Sequence, residues 1–335
     1  MNEALVKVTR GDLVESTHRV AVAVCDSNGE LRAWAGDAHL VTYMRSSAKP
    51  LQALALIESG AAEAFGLTPE EIAVTCASHS GEEIHVRAAR GVLAKAGVPE
   101  AALHCGVHAP IDRISARALA AAGQAPTEVH CNCSGKHSGM LAVCSRMGWS
   151  TEDYWRIDHP LQQLILGNVA SMCGVDPAGI VIGIDGCGVP VHGMPLAAMA
   201  TGFARLATGQ GVPPRRAAAT QTIVRAMQGN PYLVAGRDRF TTQLMEHGRP
   251  QVVAKSGAEA VFCLGLPELG LGMALKVLDG GSRATYPATM EVLTQLGALQ
   301  PAQLERLAGW HRPAVRNVLG DVIGSIAPSF VLQLV

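Results

Sequence analysis

The sequence predicts a layered α/β (α+β) fold, with an antiparallel sheet drawn from N- and C-terminal strands and a helix-rich middle. Three observations lead there. Residues 6–35 alternate apolar and polar side chains around a "DSNGE" turn at 26–30. The stretches "AEAVFCLGL" and "LGMALKVLD" repeat that pattern near the other end, joined by "PELG". Between them lie long apolar runs bracketed by capping residues. A strictly alternating parallel βαβ order does not fit this arrangement.

Taken in order, Val6–Val14 and Val20–Ala35 read as strands, because "DSNGE" supplies hairpin chemistry. "MRSSAKPLQALALIESG" is apolar nearly all round and reads as a buried helix ending near Gly60. "TPEE" at 68–71 has the threonine, proline and glutamate of a capped helix start, and "IAVTCAS" behind it reads as a strand delivering Ser78 and His79 to a loop. Ser80 and Glu83 have capping-box spacing ahead of a helix that closes at Gly97. A further helix opens at Ser134 and ends at Gly148, and Asp158 with Pro160 opens another. "GIVIGIDGCGVPV" is strand-like, and "PLAAMATGFARLATG" and "PRRAAATQTIVRAMQG" are helical. Two short helical stretches follow the C-terminal hairpin. No linker or fixed-period repeat divides the chain, so one domain over 1–335 is expected, with a helical subregion around 80–180.

Composition narrows the function. Of 335 residues, 48% are hydrophobic and 16% charged, which is enough apolar material for a sizeable core. The formal net charge is −1 and the basic residues are scattered, which argues against nucleic acid or an anionic membrane as partner. No run of about 18 apolar residues offers a membrane span. "MNEALVKVTRGDLVE" lacks the basic start and apolar run of a signal peptide, so a reducing cytoplasm is the expected compartment. The nine cysteines fit that expectation, being odd in number and mostly set in apolar runs. A small-molecule ligand is the simplest partner.

Four stretches carry reactive side chains. In "RSSAKP", Arg45–Pro50, Ser46 and Lys49 stand three apart, so one helical turn brings hydroxyl and amine together. A lysine takes a serine proton only where burial or cationic neighbours lower its pKa. The same spacing also suits a helix cap and a surface lysine, and Pro50 disfavours a helical Lys49. In "CASHS", Ser78 and His79 end a strand, while Ser80 reads as an N-cap. In "CNCSGKHSGM", Cys133 sits at the positive end of a helix beside Lys136, a setting that favours thiolate. Cys131, two positions earlier, points away if the segment is extended, and either cysteine is equally well a buried structural one. In "GIDGCGVP", Asp185 and Cys187 project from a glycine turn. Cys133 and Cys187 make a soft pair suited to zinc, with His137 and Lys136 the other candidates at hand.

These motifs, with "ESTHR" at 15–19, come in the order and at the separations of one family. The sequence resembles the rhizobial-type, thermolabile L-asparaginase II family over nearly its whole length. The resemblance implies a fold like that of serine β-lactamases and glutaminases, and hydrolysis of L-asparagine to L-aspartate and ammonia. It implies two Ser–Lys pairs, Ser46 with Lys49 and Ser78 with Lys255 of "VVAKSGAEA". It further implies a zinc site of Cys133, Lys136 and Cys187, with His137 and Asp185 close by and Arg45 a candidate for the substrate carboxylate. Zinc is expected to orient the substrate, leaving nucleophilic attack to serine. Ser47 beside Ser46 makes assignment by residue type ambiguous, and spacing to Lys49 favours Ser46. A homodimer is expected from the resemblance alone. Two rival readings are a penicillin-recognising or esterase-like serine hydrolase, and a non-catalytic zinc or thiol sensor built on Cys133 and Cys187. The first lacks clear S-x-N and K-T-G partners, "AKSG" being only loosely similar to the latter.

Overall fold

The computed structural model describes residues 3–335. Its strands are β1 (Leu5–Arg10), β2 (Leu13–Asp26), β3 (Leu31–Ala35), β4 (Val41–Tyr43), β5 (Val181–Ile184), β6 (Pro190–Pro195), β7 (Val253–Gly257), β8 (Val261–Leu266), β9 (Leu271–Val277), β10 (Ala314–Arg316), β11 (Val322–Ser329) and β12 (Gln333–Leu334). Its first seven α-helices are α1 (Lys49–Gln52), α2 (Leu54–Glu58), α3 (Ala61–Ala64), α4 (Pro69–Thr75), α5 (Glu83–Lys95), α6 (Arg113–Ala121) and α7 (Ser134–Met147). The rest are α8 (Pro160–Cys173), α9 (Leu196–Thr208), α10 (Pro214–Gly229), α11 (Pro231–Val234), α12 (Phe240–Gly248), α13 (Thr285–Gln295) and α14 (Pro301–His311). The chain divides into two compact units. One holds the chain up to Ser47 with Met194–Gly211 and Gln243–Val335; the other holds Ala48–Gly193 and Val212–Thr242.

The first unit is the mixed α/β layer expected from the sequence. Its antiparallel sheet runs β10-β11-β1-β2-β9-β8-β7, with β3 on β2 and β12 on β3. The central strand β2 is buried from Val20 to Cys25, where "VAVAVC" is apolar on both faces. Helix α9 covers β2, β8 and β9. It lies so close that a Cβ on Gly272 of β9 would meet the Ala200 carbonyl oxygen at 2.0 Å. N- and C-terminal strands therefore share one sheet, and β1 pairs β11 from Leu5 opposite Ser329 to Val8 opposite Ile326.

The second unit is mostly helical. Its centre is α7, buried from Ser134 to Cys144 and ended by Gly148 at φ 68°. Helices α4 and α5 pack against it. A Cβ on Gly135 would lie 2.1 Å from the Val74 carbonyl oxygen, and one on Gly139 would lie 2.9 Å from Thr75 Cγ2. Glycines one turn apart thus let α7 touch the backbone of α4, and this sets the spacing of the site. Among the described residues no helix is long and apolar enough to cross a membrane.

Several local expectations are corrected. "IAVTCAS" belongs largely to α4, not to a strand. The capping box of Thr68 and Glu71, with Pro69 at the first position, starts the helix, and burial from Glu71 to Thr75 hides its period. Ser80 caps nothing: α5 starts at Glu83 behind Glu82, and the Ser80 hydroxyl donates to the Ala235 carbonyl at 2.9 Å. His159, not Asp158, accepts the capping hydrogen bond of α8. The run toward Gly60 is two short helices joined at Ala53, not one. Lys49 is helical despite preceding Pro50.

Candidate active site

The second unit gathers one site from two chain segments, the exit of α4 and the entry of α7. Beyond α4 the backbone is tied down residue by residue. The Ser78 N–H donates to the Val234 carbonyl at 3.0 Å, and the His79 N–H to the Asn132 carbonyl at 3.2 Å. On the other side, residues 131–134 form a turn in which the Ser134 N–H donates to the Cys131 carbonyl at 2.9 Å. Lys49, 1% exposed, enters between them. Its Nζ donates to the Ala77 carbonyl at 2.6 Å, to Ser78 Oγ at 3.0 Å, to Cys133 Sγ at 3.2 Å and to the Asn132 carbonyl at 3.4 Å. Lys49, Ser78 and Cys133 are therefore one contact group.

The turn at 131–134 also overturns the expectation that Cys131 points away. The segment is not extended, and the Cys131 thiol donates to the Cys105 carbonyl at 3.3 Å. Cys187 joins from the β5–β6 hairpin, its thiol hydrogen-bonded to Cys133 and accepting from Lys136 Nζ at 2.9 Å. Hydrogen bonds from Cys131 and Cys187, aided by the charges of Lys49 and Lys136, hold Cys133 well below the usual thiol range against the effect of burial. Cys131 and Cys187 are pushed up, first by their hydrogen bonds to neighbouring thiols and then by burial. Of the three thiols, Cys133 at the start of α7 is the one whose thiolate is favoured. Burial opposes charge on Lys136, but Cys187, Cys133 and Asp185 outweigh it and raise its pKa. Asp185 Oδ1 accepts from the Gly186 N–H at 2.9 Å, and Oδ2 lies 4.0 Å from Cys187 Sγ.

Two buried histidines flank these groups, both held well below the usual range chiefly by burial. Ser134 Oγ donates to the Val129 carbonyl at 2.7 Å, so it accepts from His79 Nε2 at 2.9 Å, while His79 Nδ1 accepts from the Gly81 N–H at 3.2 Å. His79 is neutral with its proton on Nε2, and its role is to bind the two segments. Tyr154 OH accepts the His104 N–H at 2.9 Å and has one proton left for His137 Nδ1 at 2.7 Å. His137 is therefore neutral with an Nε2–H, and that buried nitrogen has no protein partner. Both nitrogens of His192 on β6 are likewise buried without a partner. Burial, with the Lys136 charge, pushes its pKa down to about 4.

The remaining candidates lie in the first unit. Met44 to Ser47 lie against β7 and β8: a Cβ on Gly257 would meet the Met44 carbonyl oxygen at 2.8 Å and Arg45 Cβ at 3.4 Å. Arg45 adopts φ 51°, which turns the chain into the short helical stretch of residues 45–48. Ser47 is fully buried, its Oγ donating to the Met44 carbonyl at 2.6 Å and accepting the Cys263 thiol at 3.4 Å. Ser46 is only half-buried. Lys255, opposite Cys263 in the β7–β8 ladder, is 1% exposed and donates to the Ser256 carbonyl at 2.8 Å.

A soft metal suits part of this arrangement. Among the described residues no three His, Cys, Asp or Glu side chains gather as a metal site. The donors that do meet are the sulfurs of Cys133 and Cys187 and the Lys136 amine, all buried in one hydrogen-bonded group. They fit a thiophilic cation provided Lys136 gives up its proton on binding.

Cys105, Tyr154, His104 and His192 escaped the sequence reading. No spacing signals them, since they reach the site from three separate segments. The glycines of "SGKHSG" could have signalled close helix packing, being four apart.

The L-asparaginase II family model matches residues 6–328. No curated protein matches. Among solved structures, the chain is similar to a β-lactamase from Mycobacterium bovis at 14% identity and TM-score 0.44, covering 84% of this chain and 95% of that one. A crystal structure of Mglu is similar at 17% identity and TM-score 0.40, covering 84% of this chain and 67% of that one. Simvastatin synthase from Aspergillus terreus is similar at 10% identity and TM-score 0.32, covering 77% and 86%. Against Mglu in its tris and glutamate form, the chain spans 60% of the matched chain's length. With the family model spanning almost the entire sequence, the chain belongs to the L-asparaginase II family.

Proposed function

We propose that this protein hydrolyses L-asparagine to L-aspartate and ammonia through a seryl acyl-enzyme. The observation that carries the reading is the buried contact of Lys49 Nζ with Ser78 Oγ at 3.0 Å, in a chain of this family. Ser46, three positions before Lys49, attacks the side-chain amide carbon, and Lys49 takes its proton. The tetrahedral oxyanion is held by backbone N–H groups, and the proton passes to the departing ammonia. Water then cleaves the aspartyl ester by the same route, with Ser78 and Lys255 carrying protons. Ser46 is favoured over Ser47, whose hydroxyl donates to the Met44 carbonyl inside the core. Arg45, His137 and Asp185 bind the substrate, His137 through its unpartnered Nε2–H.

Zinc, held by Cys133, Lys136 and Cys187, would supply a fixed positive charge that helps orient the substrate. The enzyme is proposed to act as a homodimer in the cytoplasm. A second reading draws on the same contact: with Lys49 Nζ 3.0 Å from its hydroxyl, Ser78 is the rival nucleophile.

Ammonia release from L-asparagine, measured for wild type, Ser46→Ala and Ser78→Ala with L-glutamine as control, decides among these. Activity abolished only in Ser46→Ala, with residual turnover in Ser78→Ala, supports the first reading. An acyl-enzyme trapped on Ser78 establishes the second. An inactive wild type, with and without zinc, defeats both. Metal binding without turnover would then favour a zinc or thiol sensor, and ester or penicillin cleavage an esterase-like hydrolase.

A further inference from the structure

Two short stretches of the second unit, "SHSGE" at 78–82 and "YLVAGR" at 232–237, run side by side and are joined along their length. The Ser78 N–H donates to the Val234 carbonyl at 3.0 Å, and Ser80 Oγ to the Ala235 carbonyl at 2.9 Å. At the far end the Glu82 carboxylate takes three donors. Its Oε1 accepts the Arg237 N–H at 3.0 Å, while Oε2 accepts the Arg237 guanidinium at 3.3 Å and the Tyr232 hydroxyl. His85 on α5 adds a further tie, its Nε2–H donating to the Tyr232 carbonyl at 3.0 Å. Gly236, at φ 118°, lets the two stretches close up: a Cβ there would stand 2.6 Å from Ser80 Oγ and 2.7 Å from Glu82 Oε1.

Glu82 is 4% exposed, and a carboxylate that deep is stable only where donors replace its water. Its three donors belong to Tyr232 and Arg237, the two ends of the second stretch. Between those ends α11 stops at Val234, and the last carbonyls of a helix have no partner inside it. That of Val234 goes to Ser78. Ser78 Oγ in turn accepts from Lys49 Nζ at 3.0 Å, and the Ala77 carbonyl accepts from the same amine at 2.6 Å. We propose that Glu82 is a positioning residue for Ser78. By anchoring both ends of residues 232–237 it fixes the Val234 carbonyl, and that carbonyl sets the Ser78 backbone so that its hydroxyl meets Lys49. This role rests on the reading of Ser78 as part of the Ser–Lys machinery. Acting through the segment, Glu82 governs turnover rather than substrate affinity.

Residue-resolved amide hydrogen exchange on the full chain reads the geometry apart from activity. In Glu82→Ala the Ser78 amide should exchange about tenfold faster or more, while that of His79, bonded to Asn132, stays within about twofold of wild type. Ammonia release from L-asparagine should show kcat down about 10–100-fold with KM within about threefold, the pattern of a misplaced reacting group. Glu82→Gln keeps an acceptor for the Arg237 N–H and should recover part of both effects. An unchanged Ser78 amide, equal acceleration at Ser78 and His79, or a raised KM with kcat intact overturns the proposal. A wild type that releases no ammonia defeats the hydrolytic reading instead, and the exchange contrast then decides the tether alone. Where Glu82→Ala does not fold, Glu82→Gln and Tyr232→Phe, which removes one donor from the carboxylate, carry the same contrast.

Discussion

Lys49 Nζ reaches Ser78 Oγ at 3.0 Å and Cys133 Sγ at 3.2 Å, so one buried amine joins a serine to the thiol cluster. Replacing Lys49 with methionine should therefore remove more than a charge. We expect kcat for ammonia release to fall about 10²–10⁴-fold, the usual contribution of a general base. The reactivity of Cys133 toward iodoacetamide should fall with it, as the neighbouring positive charge is lost. Parallel kinetics and alkylation rates on the same variant check both.

The two adjacent serines should separate cleanly. Ser46→Ala should lose turnover with an unchanged melting temperature. Ser47→Ala should keep turnover but lose about 1–3 kcal/mol, because the buried Met44 carbonyl loses its hydrogen-bond donor. Denaturant titration beside the ammonia assay distinguishes them.

Gly135→Ala tests how the site is spaced. Its Cβ would stand 2.1 Å from the Val74 carbonyl oxygen, and neither backbone yields easily. A loss of about 3 kcal/mol or more is expected, at the upper end of ordinary overpacking. Turnover should fall even in the folded fraction, since α7 carries Cys133 and Lys136. Thermal unfolding and activity per folded molecule measure the two effects.

His192 should make stability depend on acid. Its folded pKa of about 4 lies below the unfolded value near 6.5, so the unfolded chain binds the proton more readily. The stabilisation is complete above pH 6.5 and is lost as pH falls toward 4. At 1.36 kcal/mol per unit it amounts to roughly 3 kcal/mol. His192→Leu should flatten this part of the stability profile relative to wild type, as read by urea unfolding at pH 7 and pH 4.5.

Zinc uptake should strengthen as pH rises, because Cys187 and Lys136 both hold their protons more tightly than usual and must release them. Equilibrium dialysis at pH 6 and pH 8 should show this rise in wild type. Cys133→Ser and Cys187→Ser should abolish it, whereas Cys105→Ser should preserve it.

The sequence by itself determined the antiparallel sheet, the helix-rich middle, the cap and end of several helices, and the motifs holding Ser46, Lys49, Ser78, Cys133, Lys136 and Cys187. Those features are local: alternation, capping residues and short reactive spacings are written in consecutive positions. The tertiary structure alone decided that "IAVTCAS" is helical, because a fully buried helix shows no polar face by which to recognise it. It alone turned the Cys131 thiol onto the Cys105 carbonyl, committed Ser47 to the core, and set Lys49 against Ser78. The contacts of Lys49 join residues 28 to 84 positions apart. They exist because glycines on α7 let two backbones meet, and a spacing between helices has no period along the chain.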